Sequence, residues 1–207
     1  MILLLIRHGE SEFNAQGRIQ GQLDVALTET GRKQAAALAE RLAGEQLDAI
    51  FASPLERAYE TARAVAARIG HEIRTDERLR EINAGIFQGL TREEMIARYP
   101  DQELRWTARE PDFRVTGGET RRELMERGRA ALEAIRETGL ARVAVVSHGA
   151  ILAAALKGLL GIPVERGPFH FYNCAITKLI WKQDIMVDTL NETDHLRELR
   201  RGGFGDL

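Results

Sequence analysis

The chain has 207 residues, 44% of them hydrophobic, which is enough to build a substantial core in one domain. Its formal net charge is −2, and its 29 basic and 31 acidic residues include no basic stretch that would indicate binding to nucleic acid or to an anionic membrane. A single cysteine, Cys174, excludes an intramolecular disulfide and suits a reducing compartment, so we expect a cytoplasmic protein.

The first predicted element is a buried strand that ends in a polar turn. Ile2 to Ile6 is an unbroken apolar run, typical of parallel sheets and too short for the hydrophobic region of a signal peptide. Ligands of open α/β sheets bind beyond the carboxyl ends of the strands, which is where Arg7 and His8 would lie. Residues 10–26 then form a long polar loop, of a length often linked to function, that carries Asn14, Gln20 and Gly21.

A second strand and a helix follow the same plan. Thr28 offers the N-cap of a helix that ends near Gly44, and residues 47–52 are predicted as a buried strand. Ser53 and Glu56 stand at capping-box spacing, with Pro54 at the first helical position. This interpretation places Arg57 in the first turn of a helix directly after a strand, and therefore at the same sheet edge as His8.

The middle of the chain contains a glycine-punctuated loop and a predicted insertion. Residues 71–75 are a candidate strand, the loop 76–89 carries Glu81, and a capping box at Thr91 opens a short helix towards Tyr99. Residues 100–119 show no steady period, so we interpret 91–119 as an insertion that forms a partial lid. Its aromatic residues, Tyr99, Trp106 and Phe113, could cover a substrate or pack the insertion onto the body. Its arginines Arg109 and Arg114 could contact substrate or solvent.

The second half repeats the pattern of the first strand. A helix over about 119–137 precedes the apolar strand 142–147, which ends in His148-Gly149 and continues into an apolar helix, 150–160. Residues 175–181 and 185–190 are predicted as a closing hairpin, and the tail 197–207 as frayed. The whole chain, 1–207, is therefore predicted as one three-layer α/β/α sandwich whose mostly parallel central sheet has an antiparallel edge.

Two imidazoles and two guanidinium groups are thus predicted at one edge of one sheet. Like charges so placed repel each other unless an anion lies between them. Phosphate fits, because arginine matches its oxygens bidentately and the helix that begins near Gly149 offers backbone N–H groups.

These residues resemble the histidine phosphatase superfamily, also called the phosphoglycerate-mutase-like superfamily, and within it the phosphatase branch. The resemblance runs in chain order from Met1 to about Leu196. An Arg-His-Gly triplet alone would be a weak motif, whereas an ordered series of such elements is specific. The matching residues are Leu5 to Ser11 with Asn14, Gln20-Gly21, Leu27-Thr28 with Gly31, Ser53 to Ala58 with Glu60 to Ala62, Arg80-Glu81 before Gly85 and Gly89, Gly117 to Glu119, Ser147 to Gly149, and Asn191 to Leu196.

The resemblance implies a role for each site residue. His8 would be the nucleophile that forms a phosphohistidine, and Glu81 the proton donor, with Glu77 as a nearby competitor for that role. The resemblance also implies a phosphate pocket formed by Arg7, Asn14, Arg57, His148 and Gly149. Gln20 and Gly21 would contact the leaving group. The scheme needs no metal and no cofactor, and His71, His170 and His195 are interpreted as structural.

The expected function is hydrolysis of phosphomonoesters, with small phosphorylated metabolites as substrates and broad specificity left open. One alternative is a phosphoglycerate mutase, which returns the phosphoryl group to an acceptor. The stretch Gln20-Gly21-Gln22-Leu23-Asp24 favours the phosphatases, because mutases typically carry Thr-Gly-Trp. A second alternative is a non-catalytic module that binds phosphorylated ligands. The oligomeric state is open, although the exposed face of the closing hairpin could pair two copies.

Overall fold

The computed structural model describes residues 1–199, which contain six strands and seven α-helices. The strands are β1 (Ile2–Arg7), β2 (Ala49–Ala52), β3 (Ile73–Thr75), β4 (Arg142–Ser147), β5 (Ile176–Trp181) and β6 (Ile185–Glu192). The helices are α1 (Glu12–Ala15), α2 (Glu29–Leu42), α3 (Glu56–Ile69), α4 (Arg92–Arg98), α5 (Pro100–Thr107), α6 (Arg121–Glu137) and α7 (Gly149–Leu159). No helix in this range is long and apolar enough to cross a membrane.

The six strands form one sheet in the order β3-β2-β4-β1-β5-β6. Strands β1 to β4 pair in parallel, while β5 runs antiparallel to β1 and β6 antiparallel to β5. The predicted parallel sheet with an antiparallel edge is confirmed. Because Arg7 lies opposite Ser147 in the register, the residues that follow β1 and β4, His8 and His148, leave adjacent strands at the same level.

Helices cover both faces of the sheet and make it the middle of three layers. Side chains alternate between the faces along β1: Leu4 and Ile6 pack with the α2 and α3 side, and Leu3 and Leu5 with the α6 and α7 side. Each face buries its own apolar cluster, so the sheet is fixed from both sides. The rigid edge so formed carries the residues described below.

The predicted insertion contains more regular structure than its sequence suggested. The absence of a steady period over 100–119 concealed α5, a short helix that begins with Pro100 at a position where a missing N–H costs nothing. Trp106 and Tyr99 pack around buried Phe87, with ring centroids 5.7 Å and 6.2 Å from it. These contacts favour the alternative that the aromatic residues pack the insertion onto the body.

Four other sequence predictions need correction or a change of bounds. Ser53 does not cap α3: the N-cap is Leu55, and the Asp24 carboxylate accepts the N–H of Glu56 at 2.9 Å instead. The long loop contains α1, which is too short to show a helical period, and β6 continues to Glu192. Of the predicted frayed tail, residues 197–199 form a turn, and 200–207 lie outside the described residues.

Candidate active site

Two histidines and an arginine meet beyond the carboxyl ends of β1, β2 and β4. The His8 and His148 rings lie with their centroids 5.1 Å apart, and Arg57 comes from the first turn of α3. All three are buried: His8 is 2% exposed, and His148 and Arg57 are 0% exposed. The topology therefore brings together residues 49 and 91 positions apart in the sequence, as the positions of the strands predicted.

The hydrogen bonds of His8 define its tautomer. Nδ1 lies 2.6 Å from the Gly9 carbonyl oxygen, which can only accept, so Nδ1 carries the proton. Arg57 Nε donates to His8 Nε2 at 3.3 Å, so Nε2 offers a lone pair. Burial, with Arg57 and Arg7 nearby, holds the pKa of His8 well below its usual value. His8 is therefore a neutral ring with an unprotonated Nε2.

His148 is equally buried but has different neighbours. Its Nε2 lies 2.8 Å from Ser53 Oγ, and its buried Nδ1 has no hydrogen-bond partner within residues 1–199. Burial lowers the pKa of His148 well below its usual value, and Arg57, His8 and Arg7 add to this effect. An unpaired buried nitrogen is costly, so Nδ1 is a natural contact for a ligand.

Arg57 is held by the long loop. Its Nη1 and Nη2 donate to the carbonyl oxygens of Leu23 and Gly21, each at 2.8 Å. With the bond to His8, these contacts leave two of its five N–H groups for a ligand. Burial lowers the pKa of Arg57 to about 10, which leaves it charged at neutral pH. Gly21 has φ +53°, and a Cβ there would stand 2.2 Å from Gln88 Oε1, so this position requires glycine.

Arg7 and Glu81 meet at the start of α7. Arg7 Nη1 donates to the Phe171 carbonyl at 2.8 Å, and its guanidinium lies against Gly149. The Glu81 carboxyl oxygens accept the N–H groups of Ala150 and Ile151, both at 3.0 Å. The expectation that this helix end offers its N–H groups to phosphate is therefore corrected: in this structure Glu81 takes two of them.

A polar cluster lies below His8. Asn173 Nδ2 donates to the His8 carbonyl at 2.8 Å and approaches Asn14 Oδ1 at 3.4 Å. Ser11 Oγ contacts both Asn14 Oδ1, at 3.0 Å, and Gln20 Oε1, at 2.7 Å. Asn14 and Gln20 are thus near the histidines, and their amide oxygens are already engaged within the protein.

Asn173 was not predicted, although a signal existed. It lies three residues before β5, which runs antiparallel to β1, so the start of β5 lies at the edge where β1 ends. A polar residue before the predicted hairpin could have been placed there by the same argument that placed His8.

A second group, also not predicted, holds the segment that carries Glu81. Arg127 of α6 donates to the carbonyl oxygens of Arg78 and Arg80, both at 2.7 Å, and to that of Glu81 at 3.2 Å. It also pairs with the Glu119 carboxylate at 2.6 Å. Nothing in the pattern of α6 distinguishes Arg127 from the other arginines of that helix.

The competing carboxylate and the remaining histidines lie outside this group. Glu77 pairs with Arg80 at 3.1 Å, and its side chain is 72% exposed. His195 contacts the Cys174 carbonyl at 3.0 Å, and the His170 ring packs at 4.9 Å on Tyr172. Of the two insertion arginines, Arg114 pairs with Glu123 at 2.5 Å, whereas Arg109 is exposed. Residues 1–199 contain no cluster of three or more metal-ligating side chains.

Known proteins are similar to this chain in both sequence and fold. The family model "Histidine phosphatase superfamily (branch 1)" matches residues 3–193. Phosphoserine phosphatase 1 of Hydrogenobacter thermophilus is 35% identical over 202 residues, covering 95% of this chain and 94% of the relative. "Probable phosphoglycerate mutase GpmB" of Photorhabdus laumondii is 34% identical, covering 93% of each chain. The structure of mycobacterial glucosyl-3-phosphoglycerate phosphatase superposes with a TM-score of 0.83 at 35% identity, covering 93% of this chain and 99% of that one.

Proposed function

The chain belongs to the histidine phosphatase superfamily, and from this premise we propose that it is a phosphomonoester hydrolase. It acts on small phosphorylated metabolites through a phosphohistidine on His8, within one domain spanning 1–207. The observation that supports this most is the state of His8: a neutral, buried ring whose unprotonated Nε2 lies beside the Arg57 guanidinium. A nucleophile needs that lone pair.

In the first step, His8 Nε2 attacks phosphorus and the bond from phosphorus to the ester oxygen breaks. Arg7, Arg57 and His148, with Asn14 nearby, surround the equatorial oxygens and stabilise their charge during an in-line transfer. Glu81 donates a proton to the departing oxygen, which leaves as an alcohol. His8 then carries the phosphoryl group.

In the second step, water attacks the phosphohistidine. Glu81, now a carboxylate, accepts a proton from that water, and the bond between phosphorus and His8 Nε2 breaks. Inorganic phosphate leaves, and both His8 and Glu81 regain their starting protonation states.

The relative named a phosphoglycerate mutase supports a second candidate function. A mutase would use the same first step and return the phosphoryl group to a sugar acid instead of water. The stretch Gln20 to Asp24 favours the phosphatase, because it lacks the Thr-Gly-Trp sequence typical of mutases.

The test is phosphate release from a panel of phosphomonoesters in the presence of EDTA, by the wild-type protein and by His8→Ala. The panel includes phosphoserine, glucosyl-3-phosphoglycerate and p-nitrophenyl phosphate, together with 3-phosphoglycerate plus a bisphosphorylated primer. We expect turnover that survives EDTA, vanishes in His8→Ala and leaves a ³²P label on the protein in an acid quench. Isomerised 3-phosphoglycerate without free phosphate would favour the mutase. Phosphate binding without any turnover would make the site a receptor.

A further inference from the structure

Ser53 is buried, 0% exposed, at the end of β2, and its hydroxyl has two partners in the described part of the chain. The Leu55 N–H donates to Ser53 Oγ at 3.3 Å, and His148 Nε2 lies 2.8 Å from the same oxygen. Pro54, between Ser53 and Leu55 in the sequence, has no N–H to donate. The Ser-Pro pair therefore forms a turn that aims the hydroxyl at His148, which explains this motif now that Ser53 is known not to cap α3.

The position of the protons follows from counting donors. The Leu55 N–H already donates to Ser53 Oγ, and the only acceptor that residues 1–199 offer to the Ser53 hydroxyl proton is His148 Nε2. A neutral imidazole has one N–H, so a ring that accepts at Nε2 carries its proton on Nδ1. The opposite tautomer would leave the Ser53 hydroxyl proton buried without an acceptor, which is unfavourable.

We propose that Ser53 is a positioning residue that holds neutral His148 as the Nδ1–H tautomer, so that this ring presents a hydrogen-bond donor to the phosphoryl oxygens. This inference rests on the proposed function of the site. The other tautomer would present a lone pair to a negatively charged oxygen and repel it. Because His148 is neutral, its tautomer decides whether it attracts or repels the substrate.

The first experiment reads the tautomer directly. ¹⁵N-labelled protein is examined near neutral pH by long-range ¹H–¹⁵N correlation spectra, which distinguish a protonated from an unprotonated ring nitrogen, with His148→Asn to assign the signals. We expect wild-type His148 to be protonated at Nδ1 and unprotonated at Nε2, and Ser53→Ala to shift the proton towards Nε2. A wild-type ring protonated at Nε2, or an unchanged tautomer in Ser53→Ala, would overturn the proposal.

The matched control removes another buried hydroxyl. Thr177, 0% exposed in β5, accepts the Asn191 N–H at 3.2 Å and forms no hydrogen bond with His148 in the described part of the chain. Thr177→Ala should leave the His148 spectrum unchanged. Ser53→Thr keeps the hydroxyl, so it should show the wild-type tautomer and not that of Ser53→Ala. If Ser53→Thr folds but shows the spectrum of Ser53→Ala, the hydroxyl is not what sets the tautomer.

Kinetics and phosphate binding connect the tautomer with function. For Ser53→Ala we expect kcat/KM to fall by about 10-fold or more, since one donor to the transition state is lost, and inorganic phosphate to bind more weakly. Thr177→Ala should change both values by less than about 3-fold. If no phosphomonoester is turned over by the wild-type protein, the proposed function fails, but the spectra still decide the tautomer. If wild-type His148 is the Nδ1–H tautomer but Ser53→Ala binds phosphate as tightly as wild type, the tautomer has no role in phosphate binding.

Discussion

His8 and His148 occupy equivalent positions and have opposite surroundings. Each follows a buried strand, the two strands are hydrogen-bonded neighbours, and both rings are buried with a lowered pKa. The Gly9 carbonyl oxygen accepts a hydrogen bond from Nδ1–H of His8, so Nε2 keeps its lone pair. At His148 it is Nε2 that is engaged, by Ser53, so that Nδ1 is the unpaired nitrogen. One ring is built to attack phosphorus and the other to face its oxygens.

This comparison teaches that strand position alone does not assign a role. The sheet delivers two imidazoles to one edge, and a single neighbouring oxygen decides which nitrogen each ring presents. A carbonyl can only accept, whereas a hydroxyl can donate, and this difference is enough to separate a nucleophile from a hydrogen-bond donor.

The largest effect is expected from truncating each ring in turn. His8→Ala removes the nucleophile, so kcat should fall by about 10⁴-fold or more. His148→Ala removes a donor to the transition state and should cost about 10²- to 10³-fold. Both values come from phosphate release by variants whose folding is checked by circular dichroism.

Asparagine sharpens the same test, because its amide can imitate an Nδ1–H donor but not a nucleophilic ring. His148→Asn should recover part of the activity lost in His148→Ala, whereas His8→Asn should remain inactive. Equal losses at the two positions, or recovery at His8, would contradict the assignment of roles.

Arg57 is the next target, because it donates to His8 and its charge contributes to the lowered pKa of both rings. Lysine keeps the charge but cannot contact Gly21, Leu23 and His8 together, so Arg57→Lys should lower kcat/KM by about 10²-fold. The matched control is Arg18→Lys, because Arg18 also ties the long loop to a carbonyl, that of Gly89 at 2.6 Å, but lies outside the site. A similar loss in both variants would show that Arg57 acts only through the loop.

Much of this arrangement could be predicted from the sequence, because strands and helices follow from local pattern. Apolar runs located β1, β2 and β4, and Arg7, His8 and His148 follow two of those runs directly. The hydrogen-bond partners could not be predicted in the same way, since they join residues distant in the sequence: Ser53 with His148, Asn173 with His8, and Asp24 with the start of α3. The capping-box spacing at Ser53 even predicted a different role, because nothing local showed that a histidine would take the hydroxyl.

A smaller effect is expected from Arg127, which holds the segment that carries the proton donor Glu81. Arg127→Met removes the bonds to the carbonyl oxygens of residues 78, 80 and 81 and the pair with Glu119. Glu81 should then be less well placed, which lowers kcat about 10-fold for alkyl phosphates. Release of p-nitrophenolate needs little proton donation, so p-nitrophenyl phosphate should be nearly unaffected. The control is Arg129→Met, an exposed arginine on the same helix that pairs with Glu133.

This pair of substrates separates positioning from general destabilisation. A loss of stability would lower the amount of active protein and reduce both rates equally. Equal losses for alkyl and aryl phosphates in Arg127→Met would therefore contradict a role through Glu81.

The smallest effect is on stability, and it tests whether His8 and His148 are neutral in the folded protein. Burial lowers the pKa of His8 and of His148 in the folded protein, so the unfolded chain binds more protons once the pH falls below about 6.5. Above that pH neither histidine affects the balance. On going from about pH 7.5 to about pH 5.5, each should reduce the free energy of unfolding by about 1.4 kcal/mol.

Urea unfolding of wild type, His8→Asn and His148→Asn at these two pH values isolates each contribution, because all other titrating groups are common to the three proteins. Each variant should lose about 1.4 kcal/mol less than wild type over this interval, and the size should be similar for the two positions. A variant with the wild-type pH dependence would mean that the ring it lacks has the same pKa in the folded and the unfolded protein, and is therefore largely protonated at about pH 5.5. At that pH His8 would have no lone pair on Nε2. His148 would have no choice of tautomer, since an imidazolium carries a proton on both nitrogens.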